Sequence, residues 1–142
     1  MQAHLPENLR KSITNDLFKK FVKEDEKEFS KKLYMSEKEI RELKNLGHHL
    51  GSHGYDHYWW TKLSDAKLQN ELELSLNFLK KFDVDISSWS ACYPYGYHDN
   101  KVMEILKNKG CKVAFTVEPK VGSIEEDLLK FPRLDTNDLP KK

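Results

Sequence analysis

His53 and His57 stand four residues apart in GSHGYDHYWW, residues 51–60, with a glycine, an aromatic residue and a carboxylate between them. Neutral imidazole nitrogens suit zinc, cobalt, nickel or iron. A catalytic site of this kind usually adds a third protein ligand, often a carboxylate, and leaves one position to water. Histidines at this spacing share one face of a helix, but Gly51 and Gly54 argue against a helix here. The pair is expected on a bend after a strand, where Gly54 lets the chain curl until both rings converge. Taken alone, the same spacing also describes a surface turn whose rings bond water or backbone. His48 and His49 are neighbours on the expected strand and so point to opposite faces, one packing and one exposed. Asp56, His98 and Asp99 are the local candidates for a third ligand. Their plainer readings are a carboxylate turned away from the pair, a surface histidine and a helix cap.

The elements that must position these residues follow from periodicity. PENLRKSITNDLFKKFVKED spaces Leu9, Ile13, Leu17 and Phe21 four apart, with Phe18 and Val22 widening the stripe, and predicts an amphipathic helix. SEKEIRELKNLG opens on a capping box of Ser36 and Glu39 and stops at Gly47. HHLGS follows as a short strand. SDAKLQNELELSLNFLKKF opens a helix at Ser64 and carries Leu68, Leu72, Leu76 and Leu79 on one face. SSWSACYPYG alternates Trp89, Ala91 and Tyr93 with small residues, as a buried strand does. DNKVMEILKNKG is a helix with Asp99 as N-cap and Gly110 past its end. CKVAFTV is an apolar strand, and KFPRLDTND is expected to return as a last short one.

Strands alternating with helices over short connections predict an α/β fold with a parallel sheet. The tips of parallel strands face one way, which brings His53, YPYG and TVEPK together. Three or four strands make only an arc of a barrel, and an open edge predicts self-association. Trp89 is expected in the core. Tyr58, Trp59 and Trp60 suit either core packing or the face of a sugar ring.

A chain of 142 residues fits one domain with a proper core. Its 24 basic and 23 acidic side chains leave a net charge of +1, which gives no electrostatic case for nucleic acid or an anionic membrane as partner. No apolar run approaches membrane-spanning length. The start, MQAHLPENLRKS, lacks the apolar centre of a secretion signal, so a cytoplasmic location is expected. Cys92 and Cys111 match no zinc-binding pattern. In a parallel strand pair they fall near opposite ends, too far apart to bridge, and are expected as reduced, partly buried thiols.

LGSHGYDH resembles the second motif of the polysaccharide deacetylase family, also called the NodB-homology or carbohydrate esterase family 4-like domain, in which two histidines bind the metal. ACYPYGYHDNKVMEILKNKGCKVAFTV is similar to the segment that follows in that family, where a Pro-aromatic-Gly tip lines the substrate groove. KFPRLDTNDLP resembles the closing strand of a branch often encoded with surface-polysaccharide genes. The similarity runs from about Ser36 to the C-terminus, and residues 1–35 fit a helical insertion region of one domain over 1–142.

The resemblance implies a partial (β/α) barrel and the removal of N-acetyl groups from a sugar or polysaccharide precursor. It implies a divalent metal, zinc first and cobalt or nickel next, held by His53, His57 and an aspartate. Tyr93, Pro94, Tyr95 and Gly96 would form the groove wall, with the Tyr93 amide as oxyanion donor. Arg133 and Asp135 would pair beneath the site, or form a solvated ion pair.

The departures from the family pattern are specific. No Asp-Asp pair occurs in these 142 residues, Cys92 stands where an arginine is common, and no histidine follows His98. The chain is therefore expected to be the C-terminal portion of such a domain, impaired alone, with its catalytic residues unassigned. It would await a complementing N-terminal half or self-associate. The alternative is an inactive remnant or carbohydrate-binding module with the same fold.

Overall fold

The computed structural model describes residues 5–140. The chain divides into two compact units, Met1–Leu46 and Gly47–Lys142. The first holds three helices. α1 (Glu7–Leu17) continues into a π-helical turn over Phe18–Val22 that ends at Lys23 with φ 57°, so the expected helix forms, while Leu9, Ile13, Leu17 and Phe21 of its stripe stay exposed. Phe18 packs edge-on against Phe29, ring centroids 5.4 Å apart. Phe29 belongs to α2 (Glu26–Leu33), a helix the apolar periodicity did not announce, whose Asp25 cap accepts from the Glu28 N–H at 3.0 Å. α3 (Glu37–Asn45) carries the expected capping box. The Ser36 N–H donates to the Glu39 carboxylate at 2.7 Å, and the Glu39 N–H returns to the Ser36 hydroxyl at 3.3 Å. The Ser36 N–H and the Ser36 hydroxyl, which both donate to the Glu39 carboxylate, hold it below its usual range.

The second unit is built on two parallel strands, β1 (Trp89–Cys92) and β2 (Cys111–Phe115). α4 (Asp65–Lys80) precedes β1, and α5 (Asn100–Asn108) connects the strands. Trp89, Ala91, Cys111 and Ala114 are buried in one cluster with Leu68, Leu72, Leu76 and Leu79 of α4 and with Val102, Met103 and Leu106 of α5. The Trp89 indole N–H donates to the Lys109 carbonyl at 2.8 Å, so this large ring is buried without stranding its donor. Ser90, Cys92, Val113 and Phe115 alternate with the buried positions and stay half-exposed.

Two expected strands shrink to single bridges. Ser52 pairs with Ala91, and Phe131 pairs with Phe115, both parallel. The Ser52 N–H donates to the Ser90 carbonyl at 2.9 Å, and the Ser52 carbonyl accepts from Cys92 at 2.8 Å. Beyond that exchange HHLGS forms no further strand pairing among the described residues. On the other flank, KFPRLDTND turns into a 3₁₀ segment at Thr136–Asp138, capped by Asp135. The result is four parallel chain segments in the spatial order Ser52, β1, β2, Phe131, an arc of a (β/α) barrel. Among the described residues no helix is long and apolar enough to cross a membrane.

Both cysteines are free. Cys111 lies opposite Trp89 and Cys92 opposite Phe115, at the two ends of the strand pair, as expected. Burial pushes the Cys111 thiol from its ordinary 9.0 up to about 11. The buried Tyr93 phenol, which donates to the Leu129 carbonyl at 2.7 Å, is pushed upward from 10.0 for the same reason. Folding therefore favours both neutral forms. The thiol's support is complete below pH 9.0 and is lost as the pH rises towards about 11. The urea midpoint of the chain is expected to fall across this window, and Cys111→Ala should flatten the fall between pH 9 and 10, before the phenol contributes. An unchanged slope in that variant would contradict this account.

Candidate metal centre

The two histidines sit on a loop fixed from below by α4. The Ser52 and Ser75 hydroxyls are 2.6 Å apart, and the Gly54 N–H donates to the Ser52 hydroxyl at 3.2 Å. Glu71, only 2% exposed, accepts from the Tyr55 and Asp56 N–H groups, each at 2.8 Å. Its carboxylate replaces the water these two amides would otherwise bind and closes the bend between the histidines. Gly54 adopts φ +86°, and a Cβ there would meet the Glu71 Oε1 at 2.9 Å and the Trp60 Nε1 at 3.2 Å. The bend thus needs glycine for both its dihedral and its clearance. Trp60, fully buried, anchors the end of the loop.

The His53 Nδ1 is 2.9 Å from the Cys92 carbonyl oxygen. A carbonyl only accepts, so Nδ1 carries a proton, and in the neutral ring the lone pair is then on Nε2. That is the outer-shell arrangement that orients a metal-binding imidazole. The His57 Nε2 lies 3.0 Å from the His53 Nε2. Two nitrogens bound 2.0–2.1 Å from one ion would be about 2.9 Å apart at a right angle and about 3.4 Å apart at the tetrahedral angle. The pair therefore fits a shared divalent cation without rearrangement.

No third ligand joins them: among the described residues no cluster of three or more His, Cys, Asp or Glu side chains suits a metal. Asp99 caps α5 through the Val102 N–H at 2.8 Å. His98 stacks on Tyr93 with centroids 5.0 Å apart, its Nδ1 3.3 Å from the Gly96 carbonyl. Asp56 is exposed on the loop. His48 and His49 are both exposed rather than one packed and one exposed, because the strand alternation that would separate them does not form. His49 instead reaches the Ser90 hydroxyl at 2.7 Å.

The Pro-aromatic-Gly segment divides in two. Tyr93, Pro94 and Gly96 are buried, whereas Tyr95 is half-exposed at φ 61°, its ring beside His57. The Tyr93 N–H donates to the Phe115 carbonyl at 3.1 Å, so the sheet already uses the amide expected as oxyanion donor. Next to His53, a groove of about 330 Å³ runs between His49, Cys92, Phe115 and Arg133. The Arg133 Nη1 reaches the Cys92 Sγ at 3.6 Å. Asp135 turns back to accept from the Asn137 N–H at 2.9 Å, and that bond, more than Arg133, holds its carboxyl below the usual range. Arg133 thus borders the groove while Asp135 serves its own turn.

Glu71 and Ser75 were not singled out in the sequence, although a signal exists. Both fall on the face defined by Leu68, Leu72, Leu76 and Leu79, where a charged side chain calls for a partner.

A parallel α/β arc with converging imidazoles at its strand tips is part of a (β/α) barrel, and comparison with known proteins gives its family. The polysaccharide deacetylase profile matches residues 15–114. The chain belongs to the polysaccharide deacetylase family. No curated protein sequence matches it. Among solved structures it is similar to the deacetylase PplD of Streptococcus pyogenes, solved with acetate, at 22% identity and a TM-score of 0.65, over 70% of this chain and 44% of that one. It is also similar to a polysaccharide deacetylase from Bacillus cereus, at 28% identity and a TM-score of 0.57, over 70% of this chain and 32% of that one. IcaB from Ammonifex degensii aligns at 25% identity and a TM-score of 0.58, over 71% of this chain and 48% of the other. The matched part thus spans less than half the length of each of these three proteins.

Proposed function

We propose that this chain forms the histidine side of a metal-dependent hydrolase that removes N-acetyl groups from a sugar or polysaccharide precursor. The observation that carries the reading is the 3.0 Å approach of two imidazole nitrogens, one with its lone pair set by the Cys92 carbonyl, inside a deacetylase-family fold. His53 and His57 would hold the divalent ion, zinc by preference and cobalt or nickel next. When bound, such an ion polarises the amide carbonyl and acidifies its water.

The protein's own contribution is positional. Cys92 sets the tautomer of His53, Glu71 holds the loop, and the half-exposed Tyr95, seated on the buried Tyr93, Pro94 and Gly96, walls the sugar site. The third ligand and the group that takes the water's proton are carboxylates that these 142 residues do not supply as an Asp-Asp pair. Turnover is therefore expected to need carboxylates from outside these 142 residues, as a complementing N-terminal half would supply. That same lack supports a second reading, a non-catalytic carbohydrate-binding module on the same fold.

The test is acetate release from an N-acetylglucosamine oligomer by the purified chain, with and without zinc, beside a binding measurement on the same oligomer. The expected result is zinc binding with turnover near background. Robust turnover by the chain alone would overturn the assignment of missing carboxylates. Oligomer binding unaffected by zinc, with no turnover after complementation, would favour the module.

A further inference from the structure

We propose that Tyr95 and Trp59 are positioning residues for His57, a pair of stacked rings that keeps its imidazole turned towards His53. The proposal rests on the metal-site reading and adds a function for two side chains outside the ligand set. A hydrogen bond to the Cys92 carbonyl aims His53. His57 packs edge to face against the Tyr95 ring, centroids 4.7 Å apart and planes at 69°. Tyr95 in turn lies flat on Trp59, centroids 4.3 Å apart and planes at 10°. Tyr97 leans on Trp59 from 4.7 Å, and the Lys62 Nζ stands 5.0 Å above its ring.

Two separate observations show that this contact is built rather than incidental. His57 and Tyr95 both adopt positive φ, 57° and 61°, a region that side chains other than glycine avoid. They come from different loops, and their rings meet. Backbone held in such a region persists where its surroundings enforce it, and such positions gather at functional sites. The second observation is the Trp59 Nε1, buried with no hydrogen-bond partner among the described residues. A polar bond therefore does not explain the placement of this indole, whereas its flat contact with Tyr95 does.

The physical consequence is preorganisation. An imidazole free to turn about its side-chain dihedrals must lose that freedom when a cation binds, and a ring already held in plane loses less. Removing the stack should therefore weaken metal binding without removing a ligand.

The experiment uses the whole chain, titrated with zinc against a chromophoric chelator, together with NMR of the His57 ring protons in the metal-free protein. Trp59→Ala and Tyr95→Ala are expected to lower zinc affinity about 10–100-fold, the range found for outer-shell partners. In both variants the His57 ring protons should move, Tyr95→Ala by removing the ring current beside them and Trp59→Ala by releasing the Tyr95 ring from its place. Tyr95→Phe, which keeps the ring, should restore affinity and shifts to those of the parent. Trp59→Leu, which keeps apolar bulk without a flat face, replaces the alanine variant if that one does not fold. Folded variants with parental zinc affinity and unmoved His57 shifts would overturn the proposal and leave the metal site standing. A parent that takes up no zinc, but whose His57 shifts still respond to Trp59→Ala, would uphold the stack and overturn the metal site.

Discussion

A His53→Ala variant is expected to lose zinc affinity by more than about 100-fold, because outer-shell partners alone contribute about 10–100-fold and a ligand contributes more. The loss follows from geometry. With the Nε2 atoms 3.0 Å apart, both nitrogens reach one ion, and either imidazole alone is a monodentate ligand with no described third group to help it. His57→Ala should behave alike, even though it leaves the bond of His53 to the Cys92 carbonyl intact. His48→Ala is the control, since His48 is exposed and outside the converging pair. Competition of the purified chain against a chromophoric zinc chelator reads all three. Equal affinity in the parent and His53→Ala proteins would remove the basis of the metal centre.

The second large effect is expected at Glu71. Its buried carboxylate accepts the Tyr55 and Asp56 amides, and Glu71→Leu would leave both without their acceptor. An unsatisfied buried polar group costs about 1–3 kcal/mol. The loss of stability is expected at about 2–4 kcal/mol rather than the sum for two, because Tyr55 and Asp56 are themselves exposed and water can recover part of their bonding. The bend would loosen, so zinc affinity should fall together with stability. Glu71→Gln keeps a carbonyl oxygen at the same reach and should recover much of both, though a neutral acceptor bonds more weakly than a carboxylate. Urea denaturation gives the stability and the chelator assay gives the affinity. A Glu71→Leu protein that matches the parent in both would show that the loop holds its shape without the Glu71 carboxylate.

These two residues differ in how far they could be read beforehand. The spacing of His53 and His57 and the flanking glycines point to a bend on which both rings converge, although the spacing alone also describes a surface turn. Glu71 looks like one more charge on a helix rich in charges until its position is counted from Leu68, Leu72 and Leu76, and only contacts show what it holds. Arg133 is a similar case: nothing near it in sequence points to Cys92, 41 residues away.

What the sequence determined by itself is the local part. The capping box at Ser36 and Glu39, the Asp99 cap, the leucine face of α4 and the alternation of Trp89, Ala91 and Tyr93 all appear where their patterns place them. Each depends on residues within about a helical turn or on a simple period. The tertiary structure decided what depends on a distant neighbour. HHLGS and KFPRLDTND carry strand-like patterns yet form one bridge each, because a strand exists only as far as a partner supplies donors and acceptors. The Tyr93 amide went to the Phe115 carbonyl for the same reason. The direction of the His53 lone pair was likewise settled by a carbonyl 39 residues further along the chain.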